Sequence, residues 1–252
     1  MIADKIKIRV SYFVYMVLYN DAQAFGFVKS NNESNLNALL NRLIPSLLEI
    51  RKYRRDEIHY ILTEENQRSD AEKIYECVNE IIDRVYFSDQ ELNKLDTEIW
   101  LRPSKNNAGV FDEINDVETM LTRSEVSVVI RGMLNEYARL PMYKRETIAF
   151  AEELNSFFMG CQTGQIYHFR QFEKAKSIFP FNTVYGFVTD QRNYLIGYES
   201  ESKKIKAFPL REIRNSYLVQ KRYTPSRKLI DLLNDYANSF DFESEIEFEE
   251  EQ

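Results

Sequence analysis

The sequence has few of the residues that metal centres and phosphate-binding loops require. It contains two histidines, two cysteines and seven glycines among 252 residues. No histidine, cysteine and carboxylate cluster has the spacing of a zinc site, and no glycine pattern matches a Walker loop, a dinucleotide fingerprint or a nucleophile elbow. We therefore predict no metal, no cofactor and no enzymatic activity. Acid–base catalysis by His59 and His168 is the less favoured alternative.

Long apolar runs and an apolar leader are also missing. No stretch approaches the ~20 apolar residues that span a bilayer. The first residues, MIADKIKIRV, are charged where a secretory signal is apolar. Cys77 lies in an apolar helical pattern, where a buried thiol is expected. Reduced cysteines without a signal predict a cytoplasmic protein with no membrane partner.

Acidic charge is concentrated at the end of the chain. The formal net charge is −7, but residues 241–252 contain seven acids and no base. Without this tail, 33 acids match 33 bases. A neutral body can carry a local basic patch, and nucleic-acid binding depends on such patches rather than on total charge.

Residues 1–58 are predicted to form a strand–helix–helix unit. Basic and apolar residues alternate with period two from position 5 to position 10. This pattern is typical of a half-buried strand with Lys5, Lys7 and Arg9 on one face, and it gives the strongest binding candidate. The element order resembles the ribbon-helix-helix family, whose paired strands enter the DNA major groove.

The two helices of this unit have recognisable signals. Ser11 is the expected N-cap of the first helix. The second begins near Ser34, and Pro45 is expected to kink or split it. It is expected to end in the basic run 51–55, which is either a phosphate-binding patch or a solvated helix end whose charges favour the helix dipole.

A similar order returns after a connecting helical segment at 59–95, whose helix spans about 70–87. Residues 96–150 are predicted to contain a strand at 98–102, a helix at 107–117 and a helix capped by Ser124. This order repeats that of residues 1–58 and indicates a weak internal duplication. An outward Trp100 beside Arg102 suits stacking on an unpaired base, and packing against a neighbouring domain is the alternative.

We expect the two strands to pair antiparallel within one chain, because a lone strand leaves its edge unsatisfied. Pairing between the chains of a homodimer is the alternative.

The last third of the chain resembles the WYL-domain family. The match is carried by Asn193-Tyr194-Leu195, by Gly197-Tyr198 and by Lys206–Leu210 leading to Ile213. Residues 137–146, with 102–104 upstream, also look like the linker before that domain. The resemblance implies a small Sm/SH3-like barrel at 151–224. It also implies a ligand or nucleic-acid surface formed by Tyr194, Lys204, Lys206, Arg211 and Arg214.

Departures from the family pattern affect this surface. Asn193 stands where tryptophan is common, and Glu212 stands where an arginine usually precedes the closing isoleucine. From the residues alone, Tyr194 is better explained as a packing aromatic of its strand.

Residues 225–252 are predicted to form a helix and an acidic tail. Apolar and acidic residues alternate from 240 to 249, which fits either a strand that joins a sheet edge or a solvated disordered tail. A strand would place its carboxylates beside Lys204 and Lys206, where they would compete with phosphate.

These patterns together predict an α+β, nucleic-acid-binding regulatory protein. A DNA-binding transcriptional regulator of the WYL family is the first hypothesis. The second is a single-stranded-RNA-binding accessory protein of type VI-D CRISPR systems, which this chain resembles in element order; a CRISPR effector nuclease would then be a partner. A dimeric interaction protein without a nucleic-acid role is the third.

Overall fold

The computed structural model of the chain describes residues 5–65, 94–119, 124–171, 174–185, 192–239 and 241–248. Within these ranges it is a mixed α+β protein with seven α-helices and two β-sheets, as the sequence predicted. It divides into two compact units, Met1–Leu140 and Pro141–Gln252. The helix predicted near 70–87, including Cys77, lies outside the described residues.

The first unit combines a two-stranded ribbon with helices. Its elements are β1 (Ile6–Val10), α1 (Tyr12–Ala24), α2 (Leu36–Glu65), β2 (Thr97–Leu101), a 3-10 turn (Lys105–Asn107), α3 (Ala108–Glu113), a π-helical turn (Ile114–Glu118) and α4 (Val126–Arg139). β1 and β2 are antiparallel, with Ile8 opposite Ile99. The predicted strand pairing within one chain is therefore confirmed.

The ribbon buries one face and exposes the other. Ile8, Val10, Ile99 and Leu101 are buried, and they alternate with exposed residues along both strands. Burial of these four side chains against the helices stabilises the ribbon, because an isolated two-stranded sheet is marginal in water.

Two helix starts test the capping predictions. The Ser11 hydroxyl accepts a hydrogen bond from the Val14 N–H at 3.3 Å, so the predicted N-cap of α1 is confirmed. The prediction for Ser124 was wrong: α4 is preceded by Glu125 at the N-cap position, with no side-chain capping bond.

The basic run of α2 lies inside a long helix, and two of its arginines face the protein. α2 continues through Pro45 without a break and is described as far as Glu65, so the predicted helix end at 51–55 was wrong. Arg51 and Arg55 are buried, and their guanidinium groups donate to Glu118 at 3.2 and 2.7 Å. A spacing of four residues places both arginines on one helix face. These two arginines therefore belong to an internal ion-pair cluster and are not open to phosphate. Lys52 and Arg54 of the run are partly exposed, and they pair with Glu113 and Glu136.

The second unit contains a six-stranded antiparallel sheet and three helices in its described part. The helices are α5 (Met142–Ala149), α6 (Ala151–Thr163) and α7 (Arg227–Ser239), and a 3-10 turn covers Leu210–Glu212. The strands are β3 (Gln165–Gln171), β4 (Lys174–Tyr185), β5 (Asn193–Glu199), β6 (Lys204–Pro209), β7 (Arg214–Arg222) and β8 (Ile246–Glu247), in the spatial order β7-β3-β4-β5-β6-β8.

The expected Sm/SH3-like barrel is not closed in the residues that the structure describes. β4 pairs with β3 through its first half and with β5 through its second half. The outer edge of β6 pairs with β8, with Ile205 opposite Ile246. Closure onto β7 would need the edge that the tail strand occupies, so the sheet stays open.

The tail follows its predicted pattern in part. It adds to a sheet edge of its own unit, which was one of the two expected alternatives, but of its described residues only Ile246–Glu247 form a strand. Phe248 is buried beside Leu229 and Tyr236 of α7. The backbone carbonyl of Ser244 accepts a hydrogen bond from the Tyr236 hydroxyl at 2.8 Å, which holds the preceding residues outside the sheet.

Candidate nucleic-acid interface

The exposed face of the ribbon carries four of the five residues that the sequence predicted for nucleic-acid binding in the strand–helix–helix units. Period-two alternation places Lys7 and Arg9 on this face of β1, opposite Trp100 and Glu98 of β2. Lys5 is exposed just before β1. We call these five residues the ribbon face.

Glu98 offsets part of the positive charge of the ribbon face. Its carboxylate lies 2.6 Å from Lys7 Nζ and 3.2 Å from Arg9 Nε. The hydrogen bond from Lys7 is the main reason that the pKa of Glu98 is lowered. Three basic residues share this surface with one carboxylate, so the ribbon face keeps a positive charge.

Trp100 presents its ring to solvent. The residue is 55% exposed, and Lys7 Nζ lies 5.6 Å from the ring centroid. This distance allows a cation–π contact. An exposed ring beside cations has the chemistry that stacks on bases in single-stranded nucleic acid.

Arg102 extends the ribbon face at the end of β2. Its side chain is exposed, while its backbone is fixed by α2. The Arg102 N–H donates to Asn37 Oδ1 at 2.7 Å, and the Arg102 carbonyl accepts from Asn41 Nδ2 at 2.9 Å. These bonds hold the basic residue in a defined place beside the ribbon.

The four basic residues predicted from the WYL resemblance form two groups. In the first, Lys204 Nζ and Lys206 Nζ lie 2.8 and 3.4 Å from carboxylate oxygens of Glu245. Lys206 also binds Glu199 at 3.0 Å. Hydrogen bonding to Glu245 raises the pKa of Lys204. Tail carboxylates therefore lie beside these lysines, as the sequence predicted.

The second group is engaged with the protein itself. Arg211 Nε donates to the buried Glu146 at 2.7 Å. Arg214 Nη1 donates to the carbonyl of Arg211 at 2.7 Å, and its guanidinium lies 5.2 Å from the Phe150 ring centroid. These contacts give both arginines a structural role in the second unit.

Tyr194 packs within the second unit. Its ring centroid lies 4.9 Å from that of Phe242, with the two planes tilted by 33°. This contact agrees with the interpretation of Tyr194 as a packing aromatic. His168 is similarly engaged, because its Nδ1 lies 2.8 Å from Ser177 Oγ.

Sequence reasoning missed the buried polar centre of the second unit. Glu146 Oε2 accepts hydrogen bonds from the Asn193 N–H at 2.8 Å and from Asn193 Nδ2 at 2.7 Å. Asn193 Nδ2 also donates to the Tyr143 carbonyl at 2.7 Å. Asparagine at the first position of the tripeptide thus ties β5 to α5. The only sign of this polar centre in the sequence was Asn193, a hydrogen-bonding residue at a position where tryptophan is common in the WYL family.

A tyrosine series on α1 was also missed. Tyr12, Tyr15 and Tyr19 lie on one helix face, with successive ring centroids 6.4 and 6.1 Å apart. Their spacing of three and then four residues was visible in the sequence and indicates a shared face.

The described part of the chain contains no group of three or more histidine, cysteine or acidic residues that could hold a metal ion. The same residues include no helix that is long and apolar enough to cross a membrane.

Comparisons with known proteins give a fold relationship. No protein-family model matches the chain, and no curated protein matches it. Among solved structures, the chain is similar to a CRISPR Cas-related protein, with a TM-score of 0.64 and 15% sequence identity. The match covers 90% of this chain and 65% of that chain. The two proteins therefore share a fold, and this chain spans 65% of the other's length.

A weaker match is to proteasome accessory factor B/C (PafBC) of Arthrobacter aurescens. It has a TM-score of 0.28 and 13% identity, and it covers 55% of this chain and 24% of that chain. A similarity of this size carries no argument about fold or function.

Proposed function

We propose that the protein is a nucleic-acid-binding regulatory protein that uses the ribbon face and Arg102, and that single-stranded RNA is its preferred ligand. The observation that carries this proposal is Trp100, 55% exposed and 5.6 Å from the Lys7 ammonium. Lysine and arginine supply phosphate contacts, while the indole supplies a stacking surface that an unpaired base can reach.

The shared fold with a CRISPR Cas-related protein supports an accessory role in a CRISPR system. In this role the protein would bind RNA without catalysing a reaction, and a CRISPR effector nuclease would be its partner. The WYL-like motifs of the second unit agree with a regulatory protein. A homodimer remains part of the proposal, although the ribbon itself forms within one chain.

Operator DNA is the second candidate ligand. Two antiparallel strands with a basic outer face have the dimensions that the major groove of DNA admits. The ribbon β1–β2 meets this requirement within one chain. A WYL-type transcriptional regulator would use it to read base edges, for which Lys7 and Arg9 supply hydrogen-bond donors.

Fluorescence anisotropy with labelled single-stranded RNA and duplex DNA of equal length tests the proposal. We expect tighter binding to the single strand and an affinity that falls steeply with salt. Tighter and sequence-dependent binding to duplex DNA would favour the transcriptional regulator. Failure to bind either ligand at low salt would contradict a nucleic-acid role and favour the interaction-protein hypothesis.

A further inference from the structure

A cleft of about 450 Å³ opens in the first unit between α1, the loop that follows it and the first turn of α2. Tyr15 and Tyr19 form one wall, and Asn35 and Asn37 form another. Clefts of about 300 Å³ or more accommodate small organic ligands. The ribbon face includes none of these residues.

The loop wall of the cleft is fixed before any ligand arrives. The Ser34 hydroxyl donates to the Tyr19 carbonyl at 3.0 Å, which ties the loop to α1. The N–H of Asn35 donates to the carbonyl of Phe27 at 2.7 Å. Two loop residues, Gly26 and Asn32, adopt positive φ angles of 77° and 63° and allow the tight turn.

The chemistry of the cleft suits a neutral, planar ligand with acceptor atoms. Lys29 and Glu33 both line it and are paired with each other at 3.2 Å, so their charges largely compensate. Asn35 Oδ1 accepts from the Ala38 N–H, and Asn37 Oδ1 accepts from the Arg102 N–H. The amide N–H2 ends of both asparagines therefore remain as donors.

Aromatic rings and amide donors together match a nucleobase. Bases stack on aromatic side chains through their π-faces, and their edges present carbonyl and ring-nitrogen acceptors. The tyrosine series extends the stacking surface toward Tyr12, which is 59% exposed and lies two residues after the end of β1.

The cleft is linked to the proposed interface through Asn37. Asn37 lines the cleft and bonds to the backbone of Arg102. Arg102 follows Leu101, which is opposite Ile6 in the ribbon. One strand can therefore place phosphates near Lys5 and Arg102 and direct a base into the cleft.

We propose that this cleft binds an unpaired base of single-stranded RNA, with Tyr15 and Tyr19 as the stacking surface and the amides of Asn35 and Asn37 as donors to the base edge. This inference rests on the proposed function and adds a base-binding subsite to it. The subsite contributes affinity that depends on the base rather than on the phosphate charge.

The first test compares a uridine homopolymer with an abasic oligonucleotide of the same length and charge, both titrated against the full chain. We expect the abasic strand to bind more weakly with nearly the same salt slope. Equal affinities, or a difference that disappears in a Trp100→Ala variant, would overturn the base subsite while leaving phosphate binding intact. Failure to bind either strand would instead refute the proposed function, and the subsite with it.

The second test uses substitutions in the cleft. Tyr15→Leu with Tyr19→Leu should weaken binding of the homopolymer by roughly 5- to 100-fold, because stacking surfaces are lost. Tyr15→Phe with Tyr19→Phe keeps the rings and should retain most of the affinity. Tyr53→Leu removes an exposed tyrosine of α2 outside the cleft and serves as the control.

The difference in affinity between the homopolymer and the abasic strand separates loss of a base subsite from a folding defect. A leucine variant that binds both strands as the wild type does would overturn the subsite. If that variant has a lowered melting temperature, the phenylalanine variant and the abasic comparison made with Trp100→Ala decide the question.

Discussion

Glu98 shows how one side chain adjusts the ribbon face. It lies between Lys7 and Arg9 and holds both cations through its carboxylate. The side chains of Lys7, Arg9 and Glu98 are all well exposed to solvent, so these ion pairs contribute little to stability. Its main effect is on position, because it keeps the Lys7 ammonium beside the Trp100 ring.

Replacement of Trp100 by alanine should separate the two candidate ligands. We expect Trp100→Ala to cost ~1–3 kcal/mol of binding free energy for single-stranded RNA and little for duplex DNA, since stacking needs an unpaired base. The melting temperature should stay unchanged, because the side chain is exposed. Trp100→Phe is the control and should keep most of the affinity. Equal losses on both ligands, together with a lowered melting temperature, would identify Trp100 as a packing residue.

Glu199 makes stability depend on pH. Burial alone would raise its pKa, but hydrogen bonds from Lys176, Ser202 and Lys206 lower it to about 2. A lowered pKa in the folded state gives stability that is present above the unfolded value near 4.5 and is lost as pH falls toward 2. We expect Glu199→Gln to lower the melting temperature at neutral pH and to flatten its decrease below pH 4.5.

The exposed Glu201 provides a matched control for this effect. Glu201→Gln should follow the wild-type pH profile. Parallel profiles for wild type and Glu199→Gln between pH 4.5 and 2 would show that the lysine contacts do not stabilise the fold.

At the scale of elements, a buried ion-pair cluster joins α2 to the π-helical turn. Glu118 is fully buried and accepts from Arg51 and Arg55. Buried charges are tolerated when they are paired, and removal of one partner leaves the others uncompensated. The cluster therefore fixes the position of the turn against α2.

Glu118→Gln should destabilise the first unit by about 3–5 kcal/mol, because two buried guanidinium groups lose their carboxylate. The midpoint of urea unfolding measures this loss. A variant that replaces Arg51, Arg55 and Glu118 together by apolar residues should be more stable than Glu118→Gln alone. The account of the cluster is wrong if Glu118→Gln unfolds at the wild-type urea concentration.

The elements of the first unit show why sequence patterns succeed for local structure. Period two in 5–10 and near 99–101 predicted both strands and their buried faces, because adjacent strand residues point to opposite sides. The partners of Arg51 and Arg55 were not predictable. Glu118 lies 67 and 63 residues away, and a charge run of this kind has the same local pattern whether buried or solvated.

The second unit shows that sheet pairing between distant segments is also hard to predict from local sequence patterns. A strand of about ten residues was one of two interpretations of the alternating tail, yet in its described residues turns and the bond from Tyr236 to Ser244 leave only Ile246–Glu247 in the sheet. Closure of the expected barrel depends on which strand takes the edge of β6. The identity of that strand is a property of the tertiary fold rather than of the local sequence. The ribbon face was predictable, whereas the cleft depends on how the loop after α1 folds back onto that helix.

At the scale of the whole molecule, the acidic tail supplies an internal competitor for phosphate. Glu245 binds Lys204 and Lys206, and Glu247 lies 4.0 Å from Lys204. Since phosphate contacts come from such cations, the tail lowers the number of lysines available to a nucleic acid. Phe248 anchors the tail in the core, so substitution of the acids tests the idea better than truncation.

Glu245→Gln with Glu247→Gln should strengthen RNA binding at low salt, with the difference shrinking as ionic strength screens the charges. Anisotropy titrations at several salt concentrations measure this change. Glu243→Gln is the matched control, since Glu243 is exposed and has no ion pair in the described part of the chain. Affinities equal to wild type at every salt concentration would exclude competition by the tail.

The salt dependence of RNA binding tests the role of the ribbon face most directly. Replacement of Lys5, Lys7 and Arg9 by alanine should weaken binding and lower the slope of log affinity against log salt by about 0.7 for each lost phosphate contact on a single strand. A control with the same charge change replaces three exposed bases of the second unit, Lys174, Lys221 and Arg227. We predict a wild-type slope for the control and a reduced slope for the ribbon variant. Unchanged affinity and slope in the ribbon variant would contradict binding through this face.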